Sequence, residues 1–259
     1  MEIKFSKYQG AGNDFILVDN RDGSYNSLTD KHIQFLCDRR FGIGADGLIK
    51  INQHAEFDFE ADYYNADASK SFCGNGARCA VAFCHALGIN IKNTSFLGFD
   101  GPHKATFDNN EIQLQMNSVE QLKLHDSDYE IYTGSPHYIR FVNNVKDFDI
   151  FSFGREIRYN STFAKNGINV NAVQEIAANK LLVRTYERGV ENETLACGTG
   201  VTACAIAYAH KNQLLGQNQI QIQAMGGNLA VQFHYDGARF SDIWLIGPGT
   251  FVFKGEISI

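Results

Sequence analysis

The sequence predicts an α+β fold of two pseudo-symmetric halves, each a curved, mainly antiparallel sheet around a central helix. Three observations carry that expectation. Two segments answer each other: Phe72-Cys73-Gly74-Asn75-Gly76-Ala77-Arg78-Cys79 and Ala196-Cys197-Gly198-Thr199-Gly200-Val201-Thr202. In each, a cysteine precedes Gly-x-Gly and a run of small, helix-compatible residues. The two segments sit in the same order of elements, with alternating strands before them and hairpin strands after. The links between elements are short, as in antiparallel sheets with segregated helices. At 259 residues the chain fits one large domain or two of about 130 residues. The expected halves are residues 1–117, with 250–259 returning to them and with Cys73, and residues 118–249, with Cys197.

In the first half, alternation at 3–8 and 15–18 reads as strands. Thr29 caps a helix running to about Arg40, with Ile33, Phe35, Leu36 and Cys37 as its apolar members. Gly42-Ile43-Gly44-Ala45-Asp46-Gly47 forms a tight turn into a strand. Residues 57–64 alternate again, and the Cys73 turn opens a helix that stops near Gly88. Strands at 104–107 and 111–116 follow, joined by Asp108-Asn109-Asn110 as a hairpin turn. In the second half, strands at 130–132, 137–142, 167–173 and 180–187 precede the Cys197 turn, whose helix stops near Gly216. Strands at 219–223, 228–235 and 239–246 complete it. Gly247-Pro248-Gly249 then reverses the chain before a final strand.

A net charge of −6 and scattered basic residues argue against a nucleic-acid partner. The N-terminus alternates like a strand rather than forming a leader, and no stretch approaches the ~18 apolar residues of a membrane span. The expected location is the cytoplasm. None of the six cysteines forms Cys-x-x-Cys, and a reducing compartment disfavours a disulfide framework. Cys37, Cys79, Cys84 and Cys204 read as small core hydrophobes. Cys79, Cys84 and His85 do not converge on one helix face, so no metal site is expected.

The remaining two cysteines are different. A cysteine at a helix N-terminus meets about half a positive charge, which favours its thiolate, and the adjoining N–H groups attract a carboxylate. A single copy of the motif is more simply a tight turn with a buried thiol. Two copies on equivalent turns supply two acid–base groups for one small anionic substrate: one removes a proton from a carbon and the other delivers one to its opposite face. The N–H groups of Gly74-Asn75 and Gly198-Thr199 would hold the substrate carboxylate and stabilise developing charge.

Four blocks in register resemble the signatures of the diaminopimelate epimerase family. They are Lys7-Tyr8-Gln9-Gly10-Ala11-Gly12-Asn13-Asp14-Phe15; Asp38-Arg39-Arg40-Phe41-Gly42-Ile43-Gly44-Ala45-Asp46-Gly47; Tyr64-Asn65-Ala66-Asp67 with Cys73-Gly74-Asn75-Gly76-Ala77-Arg78; and Tyr186-Glu187-Arg188-Gly189 with Ala196-Cys197-Gly198-Thr199-Gly200. The resemblance implies a cofactor-independent enzyme that interconverts LL- and meso-diaminopimelate in lysine and peptidoglycan precursor synthesis, and a homodimer. It implies Cys73 and Cys197 as catalytic groups. It implies Asn13, Asn65, Gly74, Asn75, Asn169, Glu187, Arg188, Gly198 and Thr199 as substrate-binding residues, and His137 with Glu187 as tuners of thiol protonation. A guanidinium fork fits a carboxylate bidentately, which is a physical reason for Arg188 to face the substrate's non-reacting end. Outside the resemblance, the three asparagines read better as turn residues.

Two positions depart from the family pattern. Ser135 stands where asparagine often precedes Pro-His, and Phe253 stands where a tyrosine often makes a dimer contact. Related proline and hydroxyproline racemases share the cysteine pair, but the Gly12-Asn13-Asp14-Phe15 block and the Glu187-Arg188 pair favour a substrate with a second charged end. Phenazine-type isomerases replace the cysteines. A silent binding protein on the same scaffold is expected to have lost one thiol or its glycine turn.

Overall fold

Alternating apolar residues make an antiparallel pair of β1 (Glu2–Gly10) and β2 (Asn13–Asp19), burying Ile3, Phe5, Ile16 and Val18. The computed structural model describes residues 1–89, 92–108 and 111–259. It divides into unit 1, Met1–Leu114 with Gly247–Ile259, and unit 2, Gln115–Ile246.

In unit 1, α1 (Asp30–Cys37) leads from β2 to β3 (Gly47–Asn52), which runs parallel to β2. Thr29 caps the helix in a reciprocal box with His32. The helix ends at Cys37, short of the expected Arg40, because the Asp38 carboxylate accepts the N–H groups of Arg40 at 2.7 Å and Phe41 at 2.8 Å. Those bonds offer the backbone an alternative to another helical turn. β4 (Phe59–Asn65) returns antiparallel to β3. After Cys73, α2 (Gly74–Ala86) crosses to β5 (Asn93–Gly98), which is parallel to β4. β6 (Gly101–Asp108) and β7 (Glu111–Gln115) extend the sheet antiparallel. Asn109 and Asn110 of the expected hairpin turn lie outside the described residues.

Unit 2 repeats this order. β8 (Leu122–His125), β9 (Asp128–Tyr132) and β10 (Pro136–Phe141) pair antiparallel. α3 (Ile150–Arg158) leads to β11 (Asn169–Ala177), parallel to β10, and β12 (Lys180–Glu187) returns antiparallel. The short β13 (Asn192–Thr194) precedes Cys197 and α4 (Gly198–Lys211). β14 (Gly216–Ala224) is parallel to β12, and β15 (Gly227–Tyr235) and β16 (Phe240–Gly247) complete a meander. The chain then returns as β17 (Thr250–Ser258), antiparallel to β1.

Four elements go beyond the sequence expectation: α3, β5, β8 and β13. The first carries Gly154 in mid-helix, a residue that weakens any helix signal. The glycine is there for space, because a Cβ at 154 falls 2.4 Å from the Tyr186 side chain.

Each central helix is enclosed by strands of its own unit. α2 packs on β1, β2, β3, β4, β6 and β17, and α4 on β9, β10, β11, β12, β14 and β15. Accordingly α2 is buried from Asn75 to Cys84, and most of α4 is buried as well. No helix among the described residues is long and apolar enough to cross a membrane.

The returning Pro248-Gly249 segment lies directly on α2. A Cβ on Gly249 falls 2.7 Å from the Arg78 carbonyl oxygen. Because that neighbour is helix backbone and cannot swing away, Gly249→Ala is expected to destabilise unit 1 by about 1–3 kcal/mol. Urea unfolding of the purified variant measures this. An unchanged midpoint would mean that the return segment yields freely.

Candidate active site

In unit 1, Cys73 is the N-cap of α2, in extended conformation with φ −130° and ψ 114°. Its carbonyl accepts the Ala77 N–H at 2.8 Å, so the thiol stands at the open, positive end of the helix. Asn13, at the start of β2, faces it. Asn13 Nδ2 donates to Asp46 Oδ2 at 2.5 Å, and a carboxylate only accepts. The amide is thereby turned so that its Oδ1 meets Cys73 Sγ at 3.5 Å and Asn75 Nδ2 at 3.4 Å. Arg78 fixes Asn75 from the other side, donating from Nη2 to Asn75 Oδ1 at 2.8 Å. Two asparagine amides are thus oriented in series between a group that only donates and a group that only accepts.

Arg78 is fully buried, and its hydrogen bonds go to the carbonyl oxygens of Pro248, Gly74 and Asn75. No carboxylate pairs with it among the described residues. Asp46 in turn pairs with Arg39 at 2.8 Å, and Arg39 also pairs with Asp14 at 2.7 Å. Burial alone raises the Asp14 pKa, but hydrogen bonds and charge from Arg39 and Lys7 outweigh it and hold the carboxyl well below its ordinary value. The Asn65 amide is engaged by the Tyr63 hydroxyl at 2.8 Å and by Ser69 and Ser71.

Unit 2 surrounds its thiol differently. Cys197 is the N-cap of α4, with φ −115° and ψ 113°, and is buried. Thr199 Oγ1 lies 3.4 Å from its Sγ, and His137 Nε2 lies 2.8 Å from the same hydroxyl. Thr133 anchors the turn by donating to the Thr199 carbonyl at 2.8 Å. Asn169, at the start of β11, donates to Ser135 Oγ at 2.8 Å and to Pro136 O at 3.0 Å, and accepts the Arg188 N–H at 2.9 Å. Ser135 therefore acts as a partner of Asn169. The exposed Arg188 guanidinium donates to Asn166 O at 2.8 Å, and Glu187 ends β12 beside it.

Burial sorts the other thiols. It pushes Cys37 up to about 12 and raises Cys79, Cys84 and Cys204 well above the ordinary thiol value. These four are protonated packing groups at neutral pH. Among the described residues no group of three or more His, Cys, Asp or Glu is placed to hold a metal ion.

The diaminopimelate epimerase family model matches residues 5–120 and 129–252. A diaminopimelate epimerase of Flavobacterium psychrophilum is 46% identical over 257 residues, covering 98% of this chain and all of the relative. One from Chlorobaculum tepidum is 37% identical, covering 96% and 99%. The chain belongs to the diaminopimelate epimerase family. Among solved structures, a phenazine biosynthesis protein of the PhzF family from Bacillus anthracis aligns with TM-score 0.76 at 14% identity over the whole of both chains. A probable proline racemase from Agrobacterium radiobacter aligns with TM-score 0.69 at 12% identity, covering 99% and 93%. These two establish a shared fold.

Within this diaminopimelate epimerase-like fold, Cys73, Asn13 and Asn75 come together in unit 1, as do Cys197, Thr199 and His137 in unit 2. Asn169 joins Arg188, and Asn65 turns to Tyr63 and the serines. The sequence placed Asp46 and Arg78 in the resembling blocks without giving them a role, and passed over Thr133 and Asn171. Arg78 left a signal of its own, as a lone charge inside a run of small apolar residues.

Burial holds the fully enclosed His137 imidazole neutral, moving its pKa from 6.5 down to about 3, with the Arg188 charge pushing the same way. The unfolded chain takes up this proton near pH 6.5, whereas the folded chain resists until about 3. The contribution is therefore complete above about pH 6.5 and is lost as the pH falls toward 3. Unfolding free energy of His137→Gln, followed by urea titration across that window, is expected to fall less steeply with acid than that of the parent protein. Equal slopes would show that His137 takes up its proton in the folded state.

Proposed function

We propose that this chain is a cofactor-independent epimerase interconverting LL- and meso-2,6-diaminopimelate, with Cys73 and Cys197 as its acid–base pair. The observation that carries the reading is the repeated Cys-Gly-x-Gly turn, which puts a thiol at the N-terminus of the central helix in each unit. One thiol takes the α-proton, and the other delivers a proton to the opposite face of the same carbon. The first-turn N–H groups of Gly74, Asn75, Gly198 and Thr199 hold the α-carboxylate and stabilise charge as the proton leaves.

Asn13, Asn65 and Asn169 contribute to substrate binding, with Glu187 and Arg188 on the non-reacting end. The outward exposure of Arg188 and its Asn169-held backbone support an anchoring role. His137, and Glu187 beside Arg188, set thiol protonation; for a neutral His137 that influence runs through hydrogen bonding. We place the enzyme in the cytoplasm as a homodimer. The exposed Phe251, Val252 and Phe253 of β17 support pairing with a second copy.

The test is epimerisation of LL-diaminopimelate by the purified protein with no added cofactor. Cys73→Ala and Cys197→Ala are each expected to lose at least about a thousandfold in turnover while remaining folded, a loss in the range of acid–base catalysis. Cys79→Ala should keep turnover per folded molecule near the parent value. Activity surviving in either site variant would overturn the assignment.

Loss of the distal anchor misplaces the reacting carbon, so Arg188→Lys is expected to lose at least about tenfold in kcat/KM. Steady-state values within about twofold of the parent would place the anchor elsewhere.

A further inference from the structure

Asn171 lies on β11 and is completely buried, two residues beyond Asn169. Its amide has one admissible orientation. The atom facing the Tyr138 carbonyl oxygen at 3.1 Å must be the amide nitrogen, because a carbonyl only accepts. Asn171 Oδ1 then accepts the Thr185 hydroxyl at 2.9 Å. The same Nδ2 stands 3.2 Å from His137 Nδ1. A donor at that position makes Nδ1 the acceptor nitrogen of the neutral ring and leaves the proton on Nε2. His137 Nε2 therefore donates to Thr199 Oγ1 at 2.8 Å, and the remaining Thr199 proton is available for Cys197 Sγ at 3.4 Å.

The glycine turn keeps this space open. A Cβ at Gly200 falls 2.8 Å from Asn171 Oδ1, 3.2 Å from Cys197 Cβ and 3.3 Å from His137 Cε1. The second glycine of the motif is thus what lets Asn171, His137 and Cys197 approach one another.

We propose that Asn171 is a positioning residue which, by fixing the His137 tautomer, directs the Thr199 hydroxyl proton onto the Cys197 sulfur. The relay stabilises the thiolate of Cys197 with a neutral donor and adds no net charge. Among the described interactions, Arg188 acts electrostatically on His137, and Cys204, inside α4, acts with Cys197. Both are retained in every variant below. The inference rests on the reading of Cys197 as the unit 2 acid–base thiol, but its test reads the sulfur directly and requires no turnover.

The experiment follows iodoacetamide alkylation of Cys197 against pH by peptide mass spectrometry, scaling each rate to its own high-pH plateau so that accessibility cancels. Thr199→Val and Asn171→Leu are each expected to raise the Cys197 midpoint by about one pH unit, the scale of one hydrogen bond to a charged group. Thr199→Ser should restore it. Asn171→Leu added to Thr199→Val should shift it no further, since the effect passes through the hydroxyl. An unmoved midpoint in either single variant, or an additive double variant, overturns the proposal. Imidazole nitrogen NMR of the unmodified protein decides independently of variant folding: an Nε2-protonated His137 supports the proposal, and an Nδ1-protonated ring overturns it. Solvent exchange at the substrate α-carbon tests the catalytic reading of Cys197 separately.

Discussion

Everything in the site depends on a cysteine held at the start of a helix that the strands of its own unit enclose. The Cys73 and Cys197 carbonyls join α2 and α4 as the first acceptors, so each side chain stays at the helix mouth. Burying the rest of the helix fixes the direction of that mouth, because the strands around it leave no room to tilt. The glycines that follow each cysteine are part of this constraint. Gly76 lies against Phe15 and Ile49, while Gly200 lies against Asn171, Cys197 and His137. One motif thus serves strand packing in unit 1 and a polar network in unit 2.

The two thiols consequently share a helix end but not an environment. Cys73 meets an amide oxygen whose orientation is imposed by Asp46, with the buried Arg78 guanidinium farther along α2. Thr202 occupies the position equivalent to Arg78 and donates its hydroxyl to the Gly198 carbonyl at 2.9 Å. Cys197 meets a hydroxyl backed by a neutral histidine. A buried guanidinium without a carboxylate is costly unless hydrogen bonds and a nearby negative charge offset it. The three carbonyls supply the hydrogen bonds. Burial still lowers the Arg78 pKa from its ordinary value, and negative charge at Cys79 and then at Cys73 would act against that. The halves are alike in backbone and differ in the groups that meet each thiol.

Much of the fold was legible because strand alternation, the Thr29 cap and the duplicated turn are local signals. The elements that were missed lack such signals. α3 is interrupted by Gly154 for the sake of Tyr186, β8 and β13 are short, and β5 pairs with β4 through only Phe59 and Glu60. The end of α1 turned on a single carboxylate, which periodicity does not reveal. In the site, the cysteines and their glycines could be read from the motif. The orientation of Asn13 and the involvement of Asn171 arise from partners 33 or more positions apart, which only folding brings together, and Asn75 is further fixed by a one-way hydrogen bond from Arg78.

The central claim is that two different groups take and give the proton. It is tested most directly by incubating LL-diaminopimelate with the enzyme in deuterium oxide and analysing both pools at low conversion. The account predicts meso product deuterated at the inverted centre while the unreacted LL pool remains protiated, because each enantiomeric centre meets its own thiol. Product that keeps the substrate-derived proton, or deuterium appearing equally in both pools, would show that a single base serves both faces and would contradict it.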